Sequence, residues 1–322
     1  MKINFYTLGP LIALIVLIAL GAMKNPALLA EANLINVLAR SAFIGLIAVG
    51  MTFVITSGGL DLSVGSMAAF LAGMTILAMN TLAPITGTNW GTIILGMGVA
   101  MLGGLAAGLI NGLLVTKARI EPFIVTLGTM GIYRSLVTWI ADGGTLSLAS
   151  DMRTLYRPVY YSGILGITWP IIVFALVAIL GQYAMRNTRF GRHVEAIGSN
   201  DRVAHYSAVD VNRVKLMTYV LLGGLVGLAT ILYVPRLGSA SGSTGMLWEL
   251  EAIAAVIIGG TALKGGTGRV WGTVVGVLIL SFIDNILNLT SIVSPYLNGA
   301  IQGVIIVLAV VLQRGNLAAN AR

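Results

Sequence analysis

The sequence contains no cysteine, which excludes a disulfide framework, thiol catalysis and a cysteine-ligated metal. Charge is nearly as scarce: Asp, Glu, Lys and Arg make up 9% of 322 residues, against about 25% in a soluble domain. A surface so poor in charge does not face water, so the soluble classes are excluded. Histidine is confined to His193 and His205, both in one polar loop. No imidazole stands at membrane depth to serve as a general base, which argues against a membrane hydrolase. With no paired acids at ligand spacing, no metal site and no cofactor are expected. A Gly-Lys-Ser/Thr phosphate loop is also missing. The glycine-rich stretch Gly259–Gly268 puts Gly-Gly after Lys264, so it reads as a tight turn, and the chain is expected to be no enzyme and no ATPase.

What is abundant is apolar, 57% of the chain, and it comes in runs. A bilayer core about 30 Å thick takes roughly 20 apolar residues per helical span. Ten spans can be read: Thr7–Met23, Asn36–Thr56, Leu62–Met79, Gly91–Val115, Phe123–Ile140, Thr168–Met185, Val214–Val234, Leu250–Leu263, Val270–Leu289 and Tyr296–Leu312. The eighth is short enough to be partly re-entrant. The expected fold is all-α, a polytopic transmembrane helical bundle of about ten spans in one domain over residues 1–322. Lys2 before an apolar run also resembles a signal peptide, but further spans follow at once. Glycine numbers 41, nearly twice the usual share. Small residues let helices approach closely in lipid, where no hydrophobic drive joins them.

The net charge of +8 would point to nucleic acid in a soluble protein. Here the basic residues lie between spans, so lipid and not nucleic acid is the expected surround. Cytoplasmic loops carry the excess of Lys and Arg. With the N-terminus inside, 13 basic residues fall in inner segments, and five (Lys24, Arg40, Arg153, Arg157 and Arg236) fall outside or at span edges. Both termini are then cytoplasmic. A faint internal echo relates Gly50–Ala69 to Ile258–Leu278, each a span, a glycine-rich turn and a span.

The inner loop of residues 186–215 is the most informative stretch. Ser199 or Asn200 can cap a helix whose first turn holds Asp201. Val203, Ala204 and Ala208 would give it a small, partly apolar face, suited to docking in a partner's groove; the alternative is a solvated topogenic loop. Asp61, between spans two and three, reads as the N-cap of span three or as a gate contact. Arg134 falls ~16 Å along span five, where a charge is expensive unless paired or hydrated. It is expected to pair with Asp284 or to line the pathway. Asp284 and Asn288, four apart in span nine, share a face and with Asn285 offer hydrogen bonds to a passing polyol or to another helix. No aromatic cluster with carboxylates marks a pocket.

Four segments carry a family resemblance: SGGLDLSVGS (Ser57–Ser66), EPFIVTLGTMGIYR (Glu121–Arg134), EAIGSN (Glu195–Asn200) and ELEAIAAVIIGGTALKGGTGRVWGT (Glu249–Thr273). Together they resemble the ribose-type permeases of ATP-binding-cassette importers, from about Asn33 to Arg314. The resemblance implies a type II-like permease of the bacterial inner membrane, importing a monosaccharide such as ribose. Its implied partners are a second permease subunit, cytoplasmic ATP-binding subunits and a periplasmic sugar-binding protein. It also implies a coupling helix at Asn200–Val209, so that Gly191, Glu195, Gly198, Asn200, Asp201, Ala204 and Ser207 would serve coupling to the ATPase. Ser199 and Ala208 depart from the family, which often has Gly at both positions. Xylose, galactose and arabinose remain alternatives to ribose. An ion-gradient-driven secondary transporter is the competing class, disfavoured because Asp284 alone reads as a mid-membrane acid.

Overall fold

The computed structural model describes residues 5–290 without a break, together with 297, 299–301, 303, 304 and 307. Helix α1 (Phe5–Lys24) leads through a 3-10 turn (Pro26–Leu29) into α2 (Glu31–Thr56), then α3 (Val64–Thr86), α4 (Trp90–Thr116) and α5 (Pro122–Ile140). Strand β1 (Thr145–Ser147), α6 (Ser150–Tyr156), α7 (Pro158–Tyr161) and the ribbon β2 (Gly163–Ile164) and β3 (Ile167–Thr168) follow. The chain continues as α8 (Trp169–Asn187), α9 (Arg189–Ser199), α10 (Asp201–Tyr206), α11 (Val211–Leu237), β4 (Ser239–Ser241), α12 (Trp248–Ile258) and α13 (Val270–Thr290).

Seven of these (α2, α3, α4, α5, α8, α11 and α13) are long and apolar enough to cross a membrane. They coincide with seven of the ten expected spans. Helix α1 supplies only a shorter apolar helix over Gly9–Lys24. Helix α12, at the eighth expected span, has 11 residues. That is ~16 Å of helix, about half a bilayer core. The tenth expected span, Tyr296–Leu312, lies largely outside the described residues.

Helix α2 is the core. A helix apolar on all sides belongs in the interior, and Leu46, Ile47, Met51, Phe53, Val54 and Ile55 are fully buried. It begins five residues before the expected Asn36, with Glu31 in its first turn favouring the helix dipole. Arg40 therefore lies ~14 Å along the helix and not at its edge.

Helices α4 and α11 meet backbone to backbone at Gly104 and Gly108. Ala100, Gly104 and Gly108 recur every four residues and share one face. A Cβ at Gly104 would collide with the Gly223 carbonyl, and one at Gly108 with that of Tyr219. This close backbone packing is the glue available in lipid. Toward the periphery, Ile94, Leu102, Ile124 and Leu176 stay exposed, as a lipid-facing surface requires.

The long loop between α5 and α8 holds more structure than its polarity suggests. Strand β1 pairs antiparallel with β4, Thr145 opposite Ser241 and Ser147 opposite Ser239. Asn80 of α3 clamps the ribbon, donating to the Ser147 carbonyl at 2.9 Å and accepting from the Ala149 amide at 3.0 Å. The Tyr156 hydroxyl donates to the Ile231 carbonyl at 2.8 Å. The two segments of the sequence echo lie side by side, with the Thr52 and Thr273 hydroxyls 2.8 Å apart.

Candidate functional site

The loop between α8 and α11 contains two helices where the sequence suggested one. Helix α9 is capped by Thr188, whose hydroxyl accepts from the Gly191 amide at 3.3 Å. It buries Val194 and Ile197. Gly191 rests on the Ala184 and Met185 carbonyls, and Gly198 on the Thr56 carbonyl and the Gly266 amide. The Gly266 amide donates to the Thr56 carbonyl at 2.9 Å, and the Gly268 amide to Glu195 Oε1 at 3.4 Å. Gly265 and Gly266 both hold φ of 87°, a region open mainly to glycine. Three segments thus join here backbone to backbone: the end of α2, the end of α9 and the turn between α12 and α13.

Helix α10 begins at Asn200, whose Oδ1 accepts from the Val203 amide at 3.1 Å. Ser199 is not the cap; its hydroxyl donates to the Glu195 carbonyl at 2.9 Å. Asp201 occupies the first turn. The helix stops at Tyr206, short of Val209, because Ala208 turns left-handed at φ 60°. The Ser207 hydroxyl donates to the Val203 carbonyl at 3.0 Å. Ala204 turns inward, while Val203, Tyr206 and Ala208 face out.

Asp61 is not the cap of α3, since Ser63 takes that position. Its Oδ1 accepts from the Ser63 amide at 2.8 Å and hydroxyl at 2.6 Å, and Oδ2 accepts from Asn111 Nδ2 at 3.1 Å. Asp61 is buried and ties the α2–α3 turn to α4.

Arg134 does not pair with Asp284. Its Nη1 donates to the Gly242 carbonyl at 2.8 Å and also to the Thr244 carbonyl. The physical cause is the non-helical segment between β4 and α12, whose carbonyls lack helical partners. At membrane depth such groups must find donors within the protein, and the guanidinium fork supplies them.

At the other end of α2 a cavity of about 300 Å³ opens between α2, α11, α12 and α13. Asp284 and Asn288 line it, together with Arg40, Arg236, Trp248 and Glu251. Asn285 also borders it but is committed between helices: its Nδ2 donates to Asn33 Oδ1 at 3.0 Å and its Oδ1 accepts from Asn33 Nδ2 at 2.9 Å. Beside the cavity Phe43 stacks on Trp248 at 6.4 Å and on Tyr160 at 5.8 Å, with Tyr233 edge-on at 5.6 Å from Phe43. The Arg236 guanidinium lies 6.0 Å from the Phe43 ring centre. An aromatic cluster with carboxylates therefore exists, against the sequence expectation. It was missed because positions 43, 160, 233 and 248 share no periodicity. Arg40 carried a signal, a charge inside an apolar run, hidden by placing the start of span two too late. Glu251 joins Asp284 as an acid of the same cavity.

A family profile described as branched-chain amino acid transport system / permease component matches residues 33–310. The chain is similar to the ribose import permease protein RbsC of Bacillus subtilis, 40% identical over 313 residues, covering 95% of this chain and 92% of that one. It is 38% identical over 286 residues to the RbsC of Haemophilus influenzae, covering 88% and 86%. It is 36% identical over 303 residues to the RbsC of Escherichia coli K12, covering 94% and 92%. On both the profile and these relatives, the chain belongs to the branched-chain amino acid transport system / permease component family.

Proposed function

We propose that this chain is the membrane-spanning permease subunit of an ATP-driven importer that carries a monosaccharide, ribose first, across the bacterial inner membrane. The sugar comes from the named relatives, and the power source from the junction of α9 with α2. There Gly198 meets the Thr56 carbonyl and the Gly266 amide with no side chain between. A joint made of backbone has little slack, so a push on α9 and α10 moves the end of α2 and the α12–α13 turn with it. In this reading residues 186–215 form the coupling loop, on the cytoplasmic side with both termini. Gly191, Glu195 and Gly198 fix the lever; Asn200, Asp201, Ala204 and Ser207 shape the helix that meets the ATPase. Exposed Val203 and Tyr206 supply an apolar contact for that partner.

The energy comes from cytoplasmic ATP-binding subunits, cargo from a periplasmic sugar-binding protein, and a second permease subunit completes the pathway. Asp284 and Asn288 line the route, while Asp61, Arg134 and Asn285 hold its walls. The test is uptake into proteoliposomes containing permease, ATPase and binding protein. Ribose entry should require ATP and should fail when residues 200–209 are scrambled. Uptake that ignores ATP and follows a proton or sodium gradient would overturn the proposal. It would favour ion coupling, for which Glu251 and Asp284 in one cavity are the available acids.

A further inference from the structure

We infer that the cavity between α2, α11, α12 and α13 is a binding site for one uncharged monosaccharide, contacted directly by the permease during transfer. This rests on the sugar-importer reading above and goes beyond it, because a permease served by an external binding protein can conduct without holding its cargo. Four observations carry the inference. The volume, about 300 Å³, lies at the lower end of small-molecule pockets, roughly 300–1,000 Å³, so it suits a single sugar ring. Its ionisable lining is balanced: Arg40 and Arg236 against Glu251 and Asp284. A neutral polyol fits that balance, and a phosphorylated sugar does not. Guanidinium groups only donate and carboxylates only accept, whereas each sugar hydroxyl does both, so the ligand can bridge opposite walls. Finally, Trp248 lines the cavity and is braced by Phe43 at 6.4 Å and by Tyr233, edge-on at 5.2 Å. A braced aromatic at a pocket wall offers a sugar's C–H face a fixed apolar surface.

Arg236 and Trp248 line a second cavity of about 400 Å³ as well, where Ser239, Ser241 and Ser243 of the β4 segment add hydroxyls. A branched-chain amino acid would also satisfy a charge-balanced cavity. Val37, Phe43, Ile44 and Trp248 would give its side chain an apolar wall, so L-leucine is the competing ligand that the test must exclude.

The test uses the purified full-length permease in nanodiscs, without binding protein, and D-ribose titrated through the millimolar range. The thermal unfolding midpoint should rise saturably with ribose, and neither ribose 5-phosphate nor L-leucine should move it. Asp284→Asn and Arg236→Gln should each raise the half-saturating ribose concentration at least about tenfold. Because a weak variant could also be a misfolded one, the same substitutions are read in the reconstituted importer. There they should raise the ribose KM while the unliganded unfolding midpoint stays near wild type. If wild type imports ribose but ribose shifts no midpoint and D284N leaves KM unchanged, the site is refuted and the importer reading survives. If another monosaccharide shifts the midpoint in place of ribose, the site stands and the choice of ribose falls. If leucine both binds and is imported while no sugar is, both readings fail together.

Discussion

The two ends of α2 meet their neighbours in opposite ways. At Thr56 the contact is bare backbone, with Gly198 and Gly266 against its carbonyl. About 24 Å away at Arg40 the contacts are long polar side chains around a cavity. A backbone joint has no rotamers to change, so it transmits a displacement unaltered. Long side chains have several staggered states each, so the cavity can reshape around cargo. On the proposed function, force and recognition are separated along one helix. Adding atoms should be harmful at the first end, and removing atoms at the second and along the pathway walls.

Arg134→Met is expected to have the largest effect. It strands the Gly242 and Thr244 carbonyls, at about 1–3 kcal/mol each. Thermal unfolding in detergent should show the loss, and adding Asp284→Leu should not rescue it. A rescue would restore the abandoned ion pair and undo the assignment of Arg134 to the loop. Gly198→Val comes next, an overpacking change of about 1–3 kcal/mol. Its characteristic readout is ATP hydrolysis by the assembled importer with ribose uptake lost. Normal uptake in that variant would show that the backbone joint has slack and would break the comparison. The amide pair Asn33–Asn285 should contribute less. A double-mutant cycle with leucine at both positions should give a coupling of about 0.6 kcal/mol, at most about 1.7. Ala208→Gly should be of comparable size and the only gain. It relieves a left-handed residue and should raise stability by up to about 1 kcal/mol, measurable as a higher unfolding midpoint.

Hydropathy alone located the seven long helices, because a continuous apolar run in lipid has little choice but helix. The short α12 was also legible, since Leu250–Leu263 is too brief to cross. The turn Gly259–Gly268 could be read from composition, though not its contact with Gly198. Helix α9 escaped because Gly191 and Gly198 weaken helical propensity, yet both are needed where α9 touches other backbones. The cap of α3 was misplaced by two residues, and Asp61 instead accepts from the Ser63 amide and hydroxyl in the turn before the helix. The cavity was the least legible feature. Arg40, Arg236, Glu251 and Asp284 are spread over more than two hundred residues, and only the tertiary fold brings them together.

The brevity of α12 also bears on how the protein is made. A segment enters the bilayer on its own when it offers about 17–25 apolar residues, and α12 has 11. It is held by packing on α2 and on α13, whose Gly276 seats against the Ala255 carbonyl. Biogenesis is therefore ordered, and the wall bearing Trp248 and Glu251 is among the last parts to be installed. A ribosome arrested before Val270 would leave a nascent chain with most of its membrane helices threaded and its transport chamber still open on one side.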